Sequence, residues 1–319
     1  MPRIEVGTYV DQFITWLLRT VPGLFDAISV VMTALVDVIV LALARPSFVV
    51  WVVLLTLAAL LVRGFGFALF TAVAFLLVAA MDLWEETMET LAVVLVAAVI
   101  ATAIGVPLGI WAARRQGVSV VLRPILDFMQ TTPVFVYLIP AVFFFGVGVV
   151  PGVVATTIFA IPPAVRLTEL GIRGVDPEVV EAAHAFGAHP RQILREVQLP
   201  MARPSIMAGV NQVIMLALSM VVVAGLAGAG GLGSVVVTAV TQLDVAGGFE
   251  GGLAVVILAI YLDRLTAAMA QRPGRGLWAR LRRRRAPATA VPPEDGEAPV
   301  GTPDADAPVP AGAGDPTVR

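Results

Sequence analysis

The sequence predicts an all-α membrane protein, with about seven transmembrane helices after an N-terminal amphipathic helix. Three observations carry this. Hydrophobic residues make up 58% of the 319 positions and charged residues only 14%, whereas a soluble domain is nearer a quarter charged. Apolar runs of bilayer-spanning length, roughly 17 residues or more, recur through positions 46–269. Arginines gather between alternate runs, as the positive-inside rule requires of a multi-pass protein.

The elements follow in order. Over residues 24–44 the apolar positions Leu24, Ile28, Val31, Leu35, Val38 and Ile39 recur at helical spacing, with Asp26 and Asp37 among them. This fits a helix lying against the membrane and equally an ordinary packed helix. The stretch before it carries Glu5 and Asp11 and has no basic region ahead of an apolar one, so no cleavable signal is expected. Two runs, 46–62 and 64–80, are separated only by Arg63. An acidic break at 81–89 holds Asp82, Glu85, Glu86 and Glu89. Run 90–113 is the third, and within it Gly105-Val-Pro107-Leu-Gly109 combines a kinking proline with a small-residue packing face. Runs 124–147, 150–170, 205–227 and 251–269 complete the seven. A glycine-rich stretch, 228–248, contains a short semi-apolar segment at 235–240.

Arginines at 114–123, 171–204 and 272–285 all fall on one side if each intervening pair of runs crosses the membrane. That side is read as the cytoplasm. The N-terminus is then outside and the C-terminus inside. Residues 286–319, rich in Pro, Ala, Gly and Asp, read as a disordered tail.

Composition excludes several chemistries. There is no cysteine, and the two histidines, His184 and His189, both sit in the polar loop. No disulfide, thiolate chemistry or histidine metal site within the membrane is expected. All 21 basic residues are arginine, so the chain lacks the lysine of a P-loop or a Schiff base. A net charge of −2 gives no nucleic-acid footprint. Gly228-x-Gly230-x-x-Gly233 satisfies a dinucleotide fingerprint only literally, because it follows a membrane-length run and not a strand.

The loop at 176–204 is the most informative segment. Asp176-Pro177-Glu178 supplies an N-cap, a proline at the first helical position and an acid in the first turn. A short helix over 178–186 should break at Gly187. A second should begin at Pro190 and end at Leu199-Pro200 and Pro204. The pair would make a compact knob. Ala182 and Ala183 would allow close approach of a partner, Glu181 would offer a charge, and Phe186 and Leu194 apolar anchors. Any long membrane-protein loop needs such breaks, so these features alone leave its role open.

Glu181-Ala-Ala-His-Ala-Phe-Gly187, followed by Val197-Gln-Leu-Pro200, resembles the cytoplasmic signature loop of ABC-importer permeases. Asp127-Phe-Met-Gln-Thr-Thr-Pro133-Val-Phe-Val-Tyr137-Leu-Ile-Pro140, Ile161-Pro-Pro-Ala-Val-Arg166 and Gly228-Ala-Gly-Gly-Leu-Gly233 resemble the glycine betaine/proline branch of that family. The resemblance covers about residues 25–272. It implies a type I importer permease fold in a bacterial cytoplasmic membrane. It implies a homodimer, two ATP-binding subunits carrying ATP and magnesium, and an extracytoplasmic substrate-binding protein. This chain itself would carry no cofactor and catalyse no covalent chemistry. The implied organisation is an external segment at 1–45, two accessory helices at 46–80, a core permease domain at 81–272 and a basic, then disordered, tail at 273–319.

The docking residues implied are Glu181, Ala182, Ala183, Phe186, Gly187, Leu194, Val197, Leu199 and Pro200. Candidates for the translocation path or gate are Gln130, Thr131, Thr132, Pro133, Asn211, Gln212, Gly230 and Gly231. Polar groups within membrane runs either face water or pair between helices, and both readings stand for these. Asp127 and Asp263 lie near the cytoplasmic ends, where capping at the interface is also open. A secondary transporter would need carboxylates near mid-membrane and repeated halves, and neither is visible. A channel would leave the ordered loop unexplained.

Overall fold

A computed structural model describes residues 6–270, and its regular structure is helical throughout. The basic segment 272–285 and the tail from 286 lie outside the described residues. The helices are α1 (Val6–Thr20), α2 (Pro22–Ala44), α3 (Phe48–Arg63), α4 (Phe65–Ala80), α5 (Trp84–Arg114), α6 (Gln116–Thr131) and α7 (Phe135–Phe145). They continue as α8 (Val149–Arg173), α9 (Pro177–Ala185), α10 (Pro190–Gln192), α11 (Leu199–Ser219), α12 (Val221–Leu226), α13 (Gly231–Gln242) and α14 (Val245–Ala270).

The core is a sandwich of α5, α8 and α11, with α8 in the middle. Glycines set the spacing on both of its faces. A Cβ on Gly105 would lie 2.5 Å from the Ala164 Cβ, and one on Gly109 would lie 2.6 Å from both the Val165 carbonyl oxygen and the Thr168 Cβ. On the other side Gly209 of α11 faces Leu167 and the Pro163 carbonyl, and Gly171 of α8 faces Ser205. Lipid offers no hydrophobic drive for helices to associate. Close backbone approach with good van der Waals packing supplies it. The Ser205 hydroxyl adds a 2.8 Å hydrogen bond to the Leu167 carbonyl. Pro162 and Pro163 sit buried inside α8 without breaking it.

Several expectations are narrowed or corrected. Residues 24–44 form the ordinary packed helix, one of the two readings left open: α2 is apolar enough by composition to cross a membrane. It packs Val36 on Val93, Val96, Ala97 and Val153, and Phe25 stacks on Phe144 at 4.6 Å. Helix α1 before it is amphipathic, with Val10, Phe13 and Leu17 alternating with Thr8, Asp11, Thr15 and Arg19 at helical spacing, as is α6 further on. Runs 46–62 and 64–80 become 16-residue helices, α3 and α4, because Gly64 turns the chain at φ +93°. Run 124–147 is not one straight span. Helices α6 and α7 meet at 92°, because Pro133 pushes Thr132 into extended backbone at ψ 129°. Among the described residues, by length and composition, five helices can each cross a membrane, and the bent pair makes six.

The semi-apolar segment at 235–240 belongs to α13. The second loop helix does not end at Leu199-Pro200. It passes through a π-turn, Ile193–Gln198, straight into α11. The Leu199 amide donates to the Leu194 carbonyl, and this wider turn accommodates Pro200, which has no N–H to give.

Because nothing can yield between Gly109 and the Val165 carbonyl, Gly109→Val should cost about 1–3 kcal/mol by overpacking and lower the melting temperature in detergent. Gly117→Val, where a Cβ would meet nothing within 4 Å, should stay within about 0.5 kcal/mol of the parent. Equal melting temperatures for the two variants would refute the backbone-contact account.

Candidate coupling surface and translocation elements

The loop is built by caps. The Asp176 carboxylate accepts from the Glu178 amide at 2.9 Å and starts α9. At the far end Phe186 and Ala188 donate to the Ala182 and Ala183 carbonyls at 3.1 Å. Gly187 stands between them at φ +78° with open space around it, a conformation that glycine adopts without strain. His189 then starts α10. Its Nδ1 accepts from the Arg191 amide, and the Gln192 side chain accepts from the His189 amide at 2.9 Å.

This frame sorts the expected docking residues into two sets. Glu181, Ala182, Phe186, Gly187 and Pro200 are exposed, and Phe186 is 93% exposed, a large aromatic with nothing over it. Ala183, Val197 and Leu199 are half-buried. Leu194 is only 8% exposed and packs with Ile172 and Ala202. It therefore fastens the knob to the protein and is not an apolar anchor for a partner, a correction that the sequence pattern alone could not make.

The base of the loop holds a polar cluster built on Glu169, which no sequence pattern singles out. Glu169 of α8 is 7% exposed. Its Oε1 accepts from the Ser119 hydroxyl at 2.7 Å, pairs with Arg173 Nε at 3.0 Å and lies 3.5 Å from Arg123 Nη2. Arg173 also donates to the Gln116 side chain at 2.6 Å and to the Ala112 carbonyl at 2.8 Å. Three helices, α5, α6 and α8, meet at this guanidinium.

The candidate path residues fall into three places. Gln130, Thr131, Thr132 and Pro133 form the α6–α7 bend. The two threonine hydroxyls donate to the Asp127 and Phe128 carbonyls at 3.1 and 2.6 Å, capping the end of α6. The Tyr137 hydroxyl donates to the Met129 carbonyl at 2.7 Å and holds the corner. Asp127 forms an ion pair with Arg166 of α8, so it ties two helices together.

Asn211 joins Asp263 of α14 at 3.0 Å, and its side-chain oxygen accepts from Thr266. Asp263 is thus an interhelical partner. Gln212, the next residue, is exposed. Gly230 and Gly231, at φ +76° and +62°, let the chain enter α13 against α5. The Gly231 amide donates to Glu89 and the Leu232 amide to the Thr90 hydroxyl, both at 2.8 Å. The sequence places Glu89 only in the acidic break and does not single out Thr90, because the partners of both lie 142 residues away. Beside them Asp82, Glu85, Glu86, Phe48 and Trp84 help line a cavity of about 800 Å³. It sits at the start of α5, about 45 Å from the Arg173 cluster along a 31-residue helix.

A family model described as "binding-protein-dependent transport system inner membrane component" matches residues 105–275. The glycine betaine transport system permease protein OpuAB of Bacillus subtilis is 48% identical over 266 residues, covering 83% of this chain and 94% of that protein. The glycine betaine/carnitine transport permease protein GbuB of Listeria monocytogenes is 48% identical over 274 residues, covering 84% and 96%. The glycine betaine/proline betaine transport system permease protein ProW of Escherichia coli is 45% identical over 266 residues, covering 83% and 75%. Among solved structures, a chain of the MetNI methionine ABC transporter in an inward-facing form superposes with a TM-score of 0.53 at 23% identity, covering 59% of this chain and 94% of that one. That likeness is one of fold, and it is the importer-permease fold expected from the signature loop. The chain belongs to the family of binding-protein-dependent transport system inner membrane components.

Proposed function

We propose that this chain is the transmembrane permease of an ATP-driven importer for compatible solutes, with glycine betaine, proline betaine and related quaternary amines or proline as its substrate class. The relatives named for glycine betaine transport support the substrate class. The single observation that carries the mechanism is the exposed apex Glu181–Phe186–Gly187 on a capped, rigid knob. It offers one charge, one bare aromatic and small flanking side chains, which suits insertion into a cleft on a separate ATPase.

Two ATP-binding subunits would hold the ATP and magnesium, two copies of this chain would form the path, and an external binding protein would deliver the solute. Closure of the ATPase pair would push the knobs, and the helices would convert that push into alternating access.

We place the chain in a bacterial cytoplasmic membrane with loop 176–204 and the C-terminus inside. The N-terminal segment lies outside in this arrangement, in which α2, although apolar enough to cross, lies along the outer side without crossing. The contacts of α2 support that side, for they are made with the first half of α5, the start of α8 and the end of α7. All three regions are distant from the loop.

Proline holds φ near −65°, so Gly187→Pro is incompatible with the +78° found here. Gly187→Pro and Glu181→Arg should each reduce uptake to background while membrane insertion is unchanged, and each should lose co-purification of the ATPase. Normal uptake in both variants would contradict the docking role. In proteoliposomes, uptake of radiolabelled glycine betaine should need the ATPase, the binding protein and internal ATP together. Uptake by this chain alone, driven by an ion gradient or by osmotic downshift, would show instead a secondary transporter or a channel.

A further inference from the structure

Arg166, Glu169 and Arg173 are spaced three and four residues apart, so they share one face of α8. All three point at α6. Arg166 pairs with Asp127, Glu169 takes the Ser119 hydroxyl, and Arg173 takes the Gln116 side chain. The amphipathic helix α6 is thereby fixed to α8 at three points along its length. Its own far end is fixed to α7 by the Tyr137–Met129 bond. Arg173 is the last residue of α8, and Gly174, Val175 and the cap Asp176 are all that separate it from α9.

The arms of this cluster differ in strength. Arg123 is 61% exposed and 3.5 Å away, so water screens it and it adds little. Glu169 has only 9% of its side chain exposed, and the Arg173 and Ser119 arms are short and partly or fully buried. Such charge-assisted bonds are the strong ones, and a carboxylate out of water is costly once its partners leave. Separating α6 from α8 would take the Ser119 hydroxyl from Glu169 and the Gln116 side chain from Arg173, leaving the Glu169–Arg173 pair within α8 short of partners. The low-energy response to a push on the loop is for α6 to travel with the end of α8.

We propose that Glu169 and Arg173 are positioning residues forming the joint that couples docking-loop movement to the α6–α7 corner. The joint rests on the docking reading given above. Its loss should leave the ATPase bound and turning over while the corner no longer follows. The diagnostic quantity is therefore the number of ATP molecules hydrolysed per solute imported. A merely structural defect lowers both rates together and leaves that ratio unchanged.

The test uses the complete complex of this chain, its ATPase and its binding protein in proteoliposomes, with glycine betaine as the probe. For Glu169→Gln, with the ATPase still co-purifying, the ratio should rise about tenfold, the scale of one lost hydrogen bond to a charged group. Glu169→Asp, which keeps the charge, should fall within about twofold of the parent, well inside that one-bond scale. Ser119→Ala, a conservative change with little risk to folding, should raise the ratio about threefold, the lower end for one hydrogen bond. An unchanged ratio in Glu169→Gln and Ser119→Ala would overturn the joint. Loss of the ATPase from Glu169→Gln would also overturn it, by making the residue part of docking itself. Failure of the unaltered chain to hold any ATPase would instead remove the docking reading beneath it.

Discussion

The contact on which this structure depends is the backbone-to-backbone approach of α5, α8 and α11. Gly105 and Gly109 on one side and Gly171 and Gly209 on the other bring three long helices closer than side chains would allow. Such contacts are short-ranged, and a gap of a fraction of an ångström forfeits much of their energy. The three helices therefore pack as one close-fitted unit. The remaining elements are attached to this unit. The bent pair α6–α7 is joined along one face, the loop hangs from the end of α8, and α13 is hung by its capping bonds from the start of α5.

That division assigns jobs to the polar groups. Within the hydrocarbon, an unpaired polar side chain is expensive, so each interhelical bond marks a place where two elements must stay in register. Glu89 and Thr90 hold the glycine-rich entry to α13. Asn211, Asp263 and Thr266 hold α11 to α14. Glu169 and Arg173 hold α8 to α6. The knob itself is stiffened by two N-caps and a left-handed glycine.

Much of this was legible in the sequence, and the reasons for the misses are physical. Local signals were reliable. Asp176-Pro177 does cap α9, Gly187 does break it, and Gly105 and Gly109 do face a partner helix. Hydropathy located α5, α8 and α14 because a spanning helix must carry its apolar run within one segment. What failed was whatever depends on distant partners or on two signals in conflict. Leu194 looked like a surface anchor because its burial is supplied by Ile172 and Ala202. Leu199-Pro200 looked like a stop because one residue cannot announce a π-turn. Apolar continuity hid the corner at Pro133, since hydropathy reports solvent and not direction. The aspartates Asp26 and Asp37 left α2 open between a membrane-surface helix and a packed one, and only its contacts with α5 and α8 decide for the packed one.

The turn at Gly64 has a consequence for the bilayer itself. Helices of 16 residues reach about 24 Å, short of the roughly 30 Å of an average hydrocarbon core. If α3 and α4 cross the bilayer, this hairpin is a patch of mismatched thickness beside the long helices of the core. The lipid next to it thins, or Arg45 and Arg63 at its ends stretch toward the headgroups, and either response costs a fraction of a kcal/mol per ångström. One flank of the protein would then favour thin membrane, and its lateral distribution would follow bilayer thickness, an elastic property of the lipid.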